Sequence, residues 1–247
     1  MITINNLVKT YNDRPVIDIR HLRIESGVIT GLVGNNGAGK TTLFRLLLDL
    51  VRASEGEALL QGQDVAMTET WKGFTAAYLD ETFLPGYLTP EEYFYFTGRL
   101  NRLSKTSVDE ALAAMSTFFN DGILNTGKYI RDLSKGNQAK VGIAACLLRK
   151  PEVLILDEPF ANLDPSSQLI LVDMLRQLSA DSGNAILVSS HDINHITGLC
   201  HRILLMERGT IIKDIDTTAD TLQALAEYFR TKLPASPAGA VSQPGMK

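Results

Sequence analysis

The chain has 247 residues, of which 45% are hydrophobic and 21% charged, as expected of one large globular domain or of a core with an inserted subdomain. A formal net charge of −4 and the lack of any basic run argue against binding to nucleic acid or to anionic lipid. The sequence offers neither a secretory signal nor a stretch of roughly 18 apolar residues that could cross a membrane, so we expect a protein that is cytosolic or held at a membrane by a partner.

The N-terminal part of the sequence predicts an antiparallel β subdomain that leads into a strand, a loop and a helix. Alternating or continuous apolar runs indicate the strands, and leucines at helical spacing indicate the helix. The predicted elements are strands at Ile2–Val8, Val16–Ile24 and Val28–Val33, a turn at Tyr11–Pro15, a helix at Thr41–Val51, a turn at Ser54–Glu57 and a strand beginning at Ala58–Leu60.

The middle of the chain is mostly helical in pattern, from about Pro90 to Arg149. Apolar residues recur at helical spacing and are predicted to share one face, namely Val108, Leu112, Met115 and Phe119. We interpret residues of about 82–149 as a helical subdomain inserted in an α/β core.

After this region strands and helices alternate, which predicts a largely parallel sheet. The predicted strands are Val153–Leu156, Ala185–Val188, Arg202–Met206 and Thr210–Lys213, and the predicted helices are Pro165–Leu178 and Asp192–Leu199. Residues 234–247 are rich in Pro, Ala, Ser and Gly and are predicted to be a disordered tail, which leaves residues 1–233 as the domain.

The first motif with chemical content lies between the predicted buried strand and the helix that follows it. It matches the phosphate-binding pattern G-x-x-x-x-G-K-[ST] and consists of Gly34, Asn35, Asn36, Gly37, Ala38, Gly39, Lys40, Thr41 and Thr42. Glycines allow backbone N–H groups to turn towards phosphates. Lys40 would reach the β and γ phosphates, and the Thr41 hydroxyl would bind Mg²⁺. The alternative is an ordinary glycine-rich turn.

Two carboxylates end the predicted buried strand Val153–Leu156. Asp157 would hold Mg²⁺, directly or through water, and Glu158 would act as the general base towards the attacking water. Taken alone, such a pair is as easily a helix cap or a surface charge. Its occurrence beside a phosphate-binding loop favours the catalytic interpretation.

A third motif precedes an apolar-striped helix and comprises Leu133, Ser134, Lys135, Gly136 and Asn137. It resembles the signature of ABC ATPases, LSGGQ, with Lys135 and Asn137 departing from the usual residues in a variant similar to that of some transporter ATPases. The resemblance implies a P-loop NTPase core, ATP and Mg²⁺ as cofactors, and a second ATPase subunit, expected to be a second copy, whose nucleotide this motif serves. A simple N-capped helix is the alternative.

Smaller features resemble further motifs of the same family. Asn162, Leu163 and Asp164 resemble the D-loop that couples the two sites, although Asp164 before a proline is also a good helix N-cap. His191 resembles the switch histidine that contacts the γ-phosphate, where the alternative is a structural histidine. Tyr11 resembles the aromatic residue that stacks on adenine, where the alternative is simple packing.

One position departs from the family pattern in a way that matters for the mechanism. The family has a glutamine in the loop that joins the core to the helical subdomain, and here Glu81 takes that position. The resemblance implies that this carboxylate belongs to the ATP site and reaches Mg²⁺ through water. Residues from Phe83 to Tyr87 would then lie near the surface that receives the transporter's permease.

The resemblance as a whole implies the ATPase subunit of an ABC transporter, peripheral to the cytoplasmic face of the membrane through a separate transmembrane permease. The length and the LSKGN-type signature resemble exporter ATPases of the ABC-2 class more than importer ATPases. The alternative is a soluble ABC ATPase in translation or DNA repair. Against it, the chain has one such domain, and no extended heptads lie between the phosphate loop and the signature.

Overall fold

The computed structural model of the chain describes residues 1–119 and 122–231. An antiparallel sheet occupies the N-terminal part, with strands in the order β2-β1-β4-β5. Its strands are β1 (Ile2–Tyr11), β2 (Arg14–Ile24), β4 (Glu55–Leu60) and β5 (Gln63–Asp64). The β1–β2 turn has Asn12 and Asp13 at φ 49° and 60°, the left-handed conformation of a tight two-residue hairpin turn. The turn therefore has two residues, fewer than the predicted turn at Tyr11–Pro15.

The second sheet has the order β10-β9-β3-β8-β7-β6 and is parallel except for the edge strand β10, which runs antiparallel to β9. Its strands are β3 (Ile29–Val33), β6 (Thr75–Tyr78), β7 (Val153–Leu156), β8 (Ala185–Ser190), β9 (Arg202–Glu207) and β10 (Thr210–Asp216). The central strands β3, β7 and β8 are buried at every residue, which explains their continuous apolar runs. Because these three strands are parallel, the loops at their carboxyl ends meet at one edge of the sheet.

Some of the helices cover the parallel sheet. Those that come between β6 and β7 in the chain form a separate layer. They are α1 (Lys40–Leu47), α2 (Pro90–Leu100), α3 (Lys105–Ala114), α4 (Ser116–Phe119), α5 (Lys135–Leu147), α6 (Pro165–Ser182), α7 (Ile193–Leu199) and α8 (Thr221–Thr231). Helices α2 to α5 enclose their own apolar cluster, which includes Phe94, Val108, Phe119 and Val141. The predicted fold class, an α/β P-loop core with an antiparallel β subdomain and an inserted helical layer, is confirmed. Within the described ranges, no helix is both long and apolar enough to cross a membrane.

Several element boundaries differ from the prediction. Helix α1 ends at Leu47 instead of Val51, and Asp49 adopts φ 52° just beyond it. Strand β4 begins at Glu55, inside the predicted turn, because Gly56 (φ 75°) packs so closely on Asn6 that a Cβ would lie 2.0 Å from the Asn6 carbonyl oxygen. The helical face predicted over residues 108–119 is divided between α3 and α4, although its four apolar residues are all buried.

Strands β5 and β6 and helix α8 were not predicted. Strand β5 has two residues, strand β6 has four residues and no polar alternation, and helix α8 follows the last predicted strand. Helix α8 packs on the sheet through the buried side chain of Leu225 and the partly buried rings of Tyr228 and Phe229. The predicted tail at 234–247, and the last two positions of the predicted 1–233 domain, lie outside the described residues.

Candidate active site

The phosphate-loop motif connects β3 to α1 at the edge where the parallel strands end. Gly39, which precedes α1, has φ 110°, a conformation that L side chains rarely adopt. No side chain among the described residues caps α1, so the first N–H groups of this helix have no side-chain acceptor. Asn35, Asn36 and Gly37 are exposed. The loop therefore presents its backbone and the positive end of a helix to an anion.

Lys40 is the first residue of α1, and its side chain folds back over the loop. Its Nζ donates a hydrogen bond to the Gly34 carbonyl oxygen at 2.7 Å and lies 3.4 Å from Glu158 Oε1. The lysine is 6% exposed. Because little water screens a nearly buried ammonium, it interacts strongly with nearby charges such as the Glu158 carboxylate.

Asp157 follows β7 and lies next to the start of α1. Its Oδ2 accepts a hydrogen bond from Thr41 Oγ1 at 2.6 Å, and its Oδ1 accepts one from the Ser189 hydroxyl. Burial raises the pKa of this carboxyl group, against the lowering effect of the two hydroxyl donors. Adjacent carboxylate and hydroxyl oxygens are the ligands that Mg²⁺ prefers, and a cation would offset the cost of the buried charge. Thr41 and Asp157 therefore fit a magnesium ion.

Glu158 and His191 come together from the ends of β7 and β8. Glu158 Oε2 lies 2.8 Å from His191 Nδ1 and accepts a second hydrogen bond from the His191 backbone N–H at 3.2 Å. The Glu158 backbone N–H donates to Ser189 Oγ at 2.9 Å. These contacts hold the carboxylate beside Lys40. A carboxylate held beside a phosphate-binding loop is positioned for proton transfer.

The signature motif forms the start of α5. Ser134 is the N-cap, and its Oγ accepts a hydrogen bond from the Asn137 backbone N–H at 3.3 Å. Leu133 is buried and packs in the apolar cluster of the helical layer. Gly136 packs directly on the segment after β7, because a Cβ there would lie 2.4 Å from the Asn162 carbonyl oxygen. The signature turn and the D-loop segment of one chain therefore pack together.

Asp164, the last residue of the D-loop segment, is the N-cap of α6. The alternative interpretation of this residue as a helix cap predicted this. Asp164 Oδ1 accepts a hydrogen bond from the Ser167 backbone N–H at 3.0 Å, and hydrogen bonds from Ser167 lower the pKa of Asp164 to about 2. Leu163 is buried. Lys140, which is 2% exposed, lies with its Nζ 3.4 Å from Asp164 Oδ2, so a buried cation of α5 joins the two motifs.

Glu81 begins the short 3₁₀ turn Glu81–Phe83 after β6, and its Oε1 lies 2.8 Å from Lys135 Nζ. Its pKa is lowered, mainly by the hydrogen bond from Lys135. Glu81 therefore contacts the signature turn of its own chain, a partner that the sequence did not indicate.

Tyr11 ends β1, apart from the charged cluster. It is 47% exposed, and the Lys9 ammonium lies 4.9 Å from its ring centroid. The same hairpin reaches the phosphate loop further along, because a Cβ at Gly39 would lie 2.9 Å from Ile17 Cδ1. Tyr11 thus belongs to the hairpin that contacts the phosphate loop through Ile17.

The structure brings Lys40, Thr41, Asp157, Glu158 and His191 into one cluster. Sequence reasoning missed Ser189, which accepts from the backbone of Glu158 and donates to the side chain of Asp157, and Lys140. The predicted strand stopped at Val188, whereas β8 continues to Ser190. Two serines between a buried strand and His191 were the available signal for Ser189.

Comparison with known proteins agrees with this geometry. The family model described as "ABC transporter" matches residues 17–161. The ABC transporter ATP-binding protein YhaQ of Bacillus subtilis (strain 168) is 34% identical over 85% of this chain and 69% of its own length. The bacitracin transport ATP-binding protein BcrA of Enterococcus faecalis is 31% identical over 87% of this chain and 69% of its own.

A solved dimeric structure of an ATP-binding cassette, in a post-hydrolysis state with ADP and Pi, has a TM-score of 0.79 at 21% identity and covers 89% of this chain and 100% of its own. This likeness concerns the fold. Together with the sequence relatives and the family model, the converging motifs identify the chain as an ATP-hydrolysing member of the ABC transporter family.

Proposed function

We propose that this chain drives a transporter by hydrolysing ATP in the cluster of Lys40, Thr41, Asp157, Glu158 and His191, with Mg²⁺ as cofactor. The observation that carries the proposal is the convergence of Lys40, Glu158 and His191, with contacts of 3.4 Å and 2.8 Å to the Glu158 carboxylate. The phosphate loop from Gly34 to Thr42 binds the phosphates through its backbone, and Lys40 neutralises charge on them.

Glu158 is the general base in this proposal. Its carboxylate accepts a proton from the water that attacks the γ-phosphate, and His191 orients the carboxylate through Nδ1 and the backbone N–H. Thr41 and Asp157 hold the magnesium ion, which, when bound, neutralises charge on the phosphate oxygens. Ser189 donates a hydrogen bond to the Asp157 carboxylate and accepts one from the Glu158 backbone N–H.

The proposed working unit is a dimer of two copies. Each nucleotide would lie between the phosphate loop of one copy and the signature residues of the other, Leu133 to Asn137, with the D-loop segment Asn162 to Asp164 beside them. Two observations support this. Ser134 and Lys135 are exposed at the start of α5, and the fold matches that of a dimeric cassette. Tyr11 would stack on the adenine.

The proposed permease site is a groove of about 330 Å³ between the parallel sheet and the helical layer. Its lining includes Trp71, Tyr78, Phe83 and Tyr93. Phe83 is 55% exposed and Leu50 is 51% exposed at its mouth. An exposed aromatic groove is typical of a protein–protein contact, and we assign it to a cytoplasmic helix of a separate membrane permease. The chain would thus be peripheral to the cytoplasmic face of the membrane.

Copurification tests this assignment. Tagged chain extracted from detergent-solubilised membranes should carry a polytopic membrane protein, and reconstituting the two in vesicles should stimulate ATP hydrolysis. Phe83→Glu should lose the partner while keeping its own ATPase activity. Leu169→Glu, which changes an equally apolar and more exposed residue of α6, is the control. Retention of the partner by Phe83→Glu would contradict the groove assignment.

A further inference from the structure

The first turn of α5 carries a lysine where a cation is electrostatically unfavourable. Lys135 is the first residue of the helix, immediately after the Ser134 N-cap, and the N-terminus of a helix carries a partial positive charge. Its side chain is 73% exposed. A nearby anion would offset this repulsion.

The anion is Glu81, which belongs to a different element. Glu81 Oε1 lies 2.8 Å from Lys135 Nζ, and the carboxylate is only 21% exposed. The hydrogen bond to Glu81 raises the pKa of Lys135. Helix α3 offers a matched contrast. Lys105 also follows a serine N-cap, but its ammonium pairs within its own helix, with Asp109 at 3.0 Å.

The pair joins two positions at which the chain departs from the family pattern. By the resemblance to the family, Glu81 stands where a neutral glutamine is usual, and Lys135 stands where a glycine is usual. The structure brings these two side chains of opposite charge into contact. The ammonium nevertheless remains mobile, because an exposed ion pair is weak and a lysine side chain is flexible.

Resting on the proposed dimer, we propose that Lys135 exchanges between two anions. In the single subunit it pairs with Glu81 of its own chain, and in the closed dimer it contacts the phosphates of the nucleotide held by the partner. A phosphate group offers more negative charge and more acceptor oxygens than one carboxylate. Lys135 is then a positioning residue of the dimer, and Glu81 competes with the nucleotide for it.

This competition predicts opposite effects for the two halves of one ion pair. In a Glu158→Gln background, which removes hydrolysis, light scattering during Mg·ATP titration measures the ATP concentration at half-dimerisation. Lys135→Met should raise it about two- to fivefold, the scale of one partly solvated ion pair. Glu81→Gln should lower it by a similar factor, because it frees Lys135. Lys135→Arg should stay near the parent, and Lys105→Met is the matched control without effect.

The exchanged pair, Glu81→Lys with Lys135→Glu, separates this role from a structural one. It restores the intrachain contact but places a carboxylate against the phosphates, so it should dimerise less readily than Lys135→Met. Recovery of the parent value by this double variant, or shifts of the same sign in Lys135→Met and Glu81→Gln, would overturn the inference alone. A Glu158→Gln parent that never dimerises would overturn the proposed dimer and this inference with it.

Discussion

Helices α1 and α5 begin in the two motifs assigned to phosphate, and both begin with a lysine paired to a glutamate, but their first turns are built differently. Helix α1 follows Gly39 at φ 110°, and none of the described side chains caps it. Helix α5 follows Ser134 at φ −61°, whose hydroxyl accepts the Asn137 N–H. The first N–H groups of any helix need acceptors. We assign those of α1 to an external anion, whereas at α5 the Ser134 hydroxyl accepts one of them.

The lysines differ in the same sense. The Lys40 side chain is 7% exposed and is held by Gly34 and Glu158, whereas the Lys135 side chain is 73% exposed and reaches across to Glu81. The site that we propose at the α1 terminus is therefore fixed within one chain. At the α5 terminus one N–H group already has a side-chain acceptor in the single chain, the Ser134 hydroxyl. In the proposed dimer a charged acceptor could replace this neutral one, because a charged acceptor forms the stronger hydrogen bond.

The largest expected effect on ATP turnover comes from removing the buried cation of α1, Lys40. Lys40→Ala should lower turnover about 10³-fold or more, the scale of cations that stabilise a transferring phosphoryl group, and should also weaken ATP binding. Steady-state ATPase assays and ATP titration measure the two effects. Arg45→Ala, which removes an exposed cation from the same helix, is the control. Thermal unfolding of both variants shows whether loss of fold contributes, and normal turnover in folded Lys40→Ala would reject the phosphate-loop assignment.

The second prediction separates binding at α1 from closure onto α5. Glu158→Gln keeps the size of the side chain but removes the base, so turnover should fall about 10²- to 10⁴-fold. ATP binding should persist or tighten, because a negative charge near the γ-phosphate is lost. Size-exclusion chromatography with light scattering should then show a dimer only with Mg·ATP. A variant that hydrolyses ATP at the parent rate would remove Glu158 from the mechanism.

The third prediction compares two helix caps of the same kind. Ser134 caps α5 and Ser104 caps α3, each accepting one backbone N–H, so either change to alanine should cost about 1 kcal/mol of stability. Only Ser134→Ala should also slow hydrolysis. A hydrogen bond to a charged group is worth about 1.5–3 kcal/mol, so the loss should be about 10- to 100-fold. Chemical denaturation measures the loss of stability, and ATPase assays measure the loss of turnover. Equal turnover in both variants would show that Ser134 only caps α5 and makes no catalytic contact.

Much of this site follows from sequence because its parts are local. A buried strand followed by glycines and Lys40, or by Asp157 and Glu158, specifies a backbone shape and a chemistry within ten residues or fewer. The contacts that the sequence did not reveal join distant segments. Glu81 to Lys135, Lys140 to Asp164 and Ser189 to Asp157 depend on how β6, α5, β7 and β8 pack, and periodicity carries no information about such pairings.

The elements that were missed have the same explanation. Strand β6 has four residues, too few for a period to appear, and it is stabilised by pairing with β7. Helix α8 has a clear apolar face, but its position is set by tertiary contacts such as the hydrogen bond from the Tyr228 hydroxyl to Glu207 Oε2 at 2.6 Å. Tertiary packing decides the fate of short segments whose own preferences are weak.

The smallest expected effect concerns Tyr11, which ends β1 and belongs to neither helix terminus. If its ring stacks on adenine, Tyr11→Ala should weaken ATP binding without changing turnover at saturation, because the base is remote from the reacting phosphate. Base–aromatic stacking is worth about 1–3 kcal/mol, and a residue that is 47% exposed should lie at the low end, roughly fivefold in Kd. Tyr11→Phe keeps the ring face and should bind as the parent does. Isothermal titration with ATP and with inorganic triphosphate sharpens the test, because only ATP carries the base. A Tyr11→Ala protein that loses affinity equally for both ligands would show that the residue supports the loop by packing, and one that loses affinity for neither would place it outside the site.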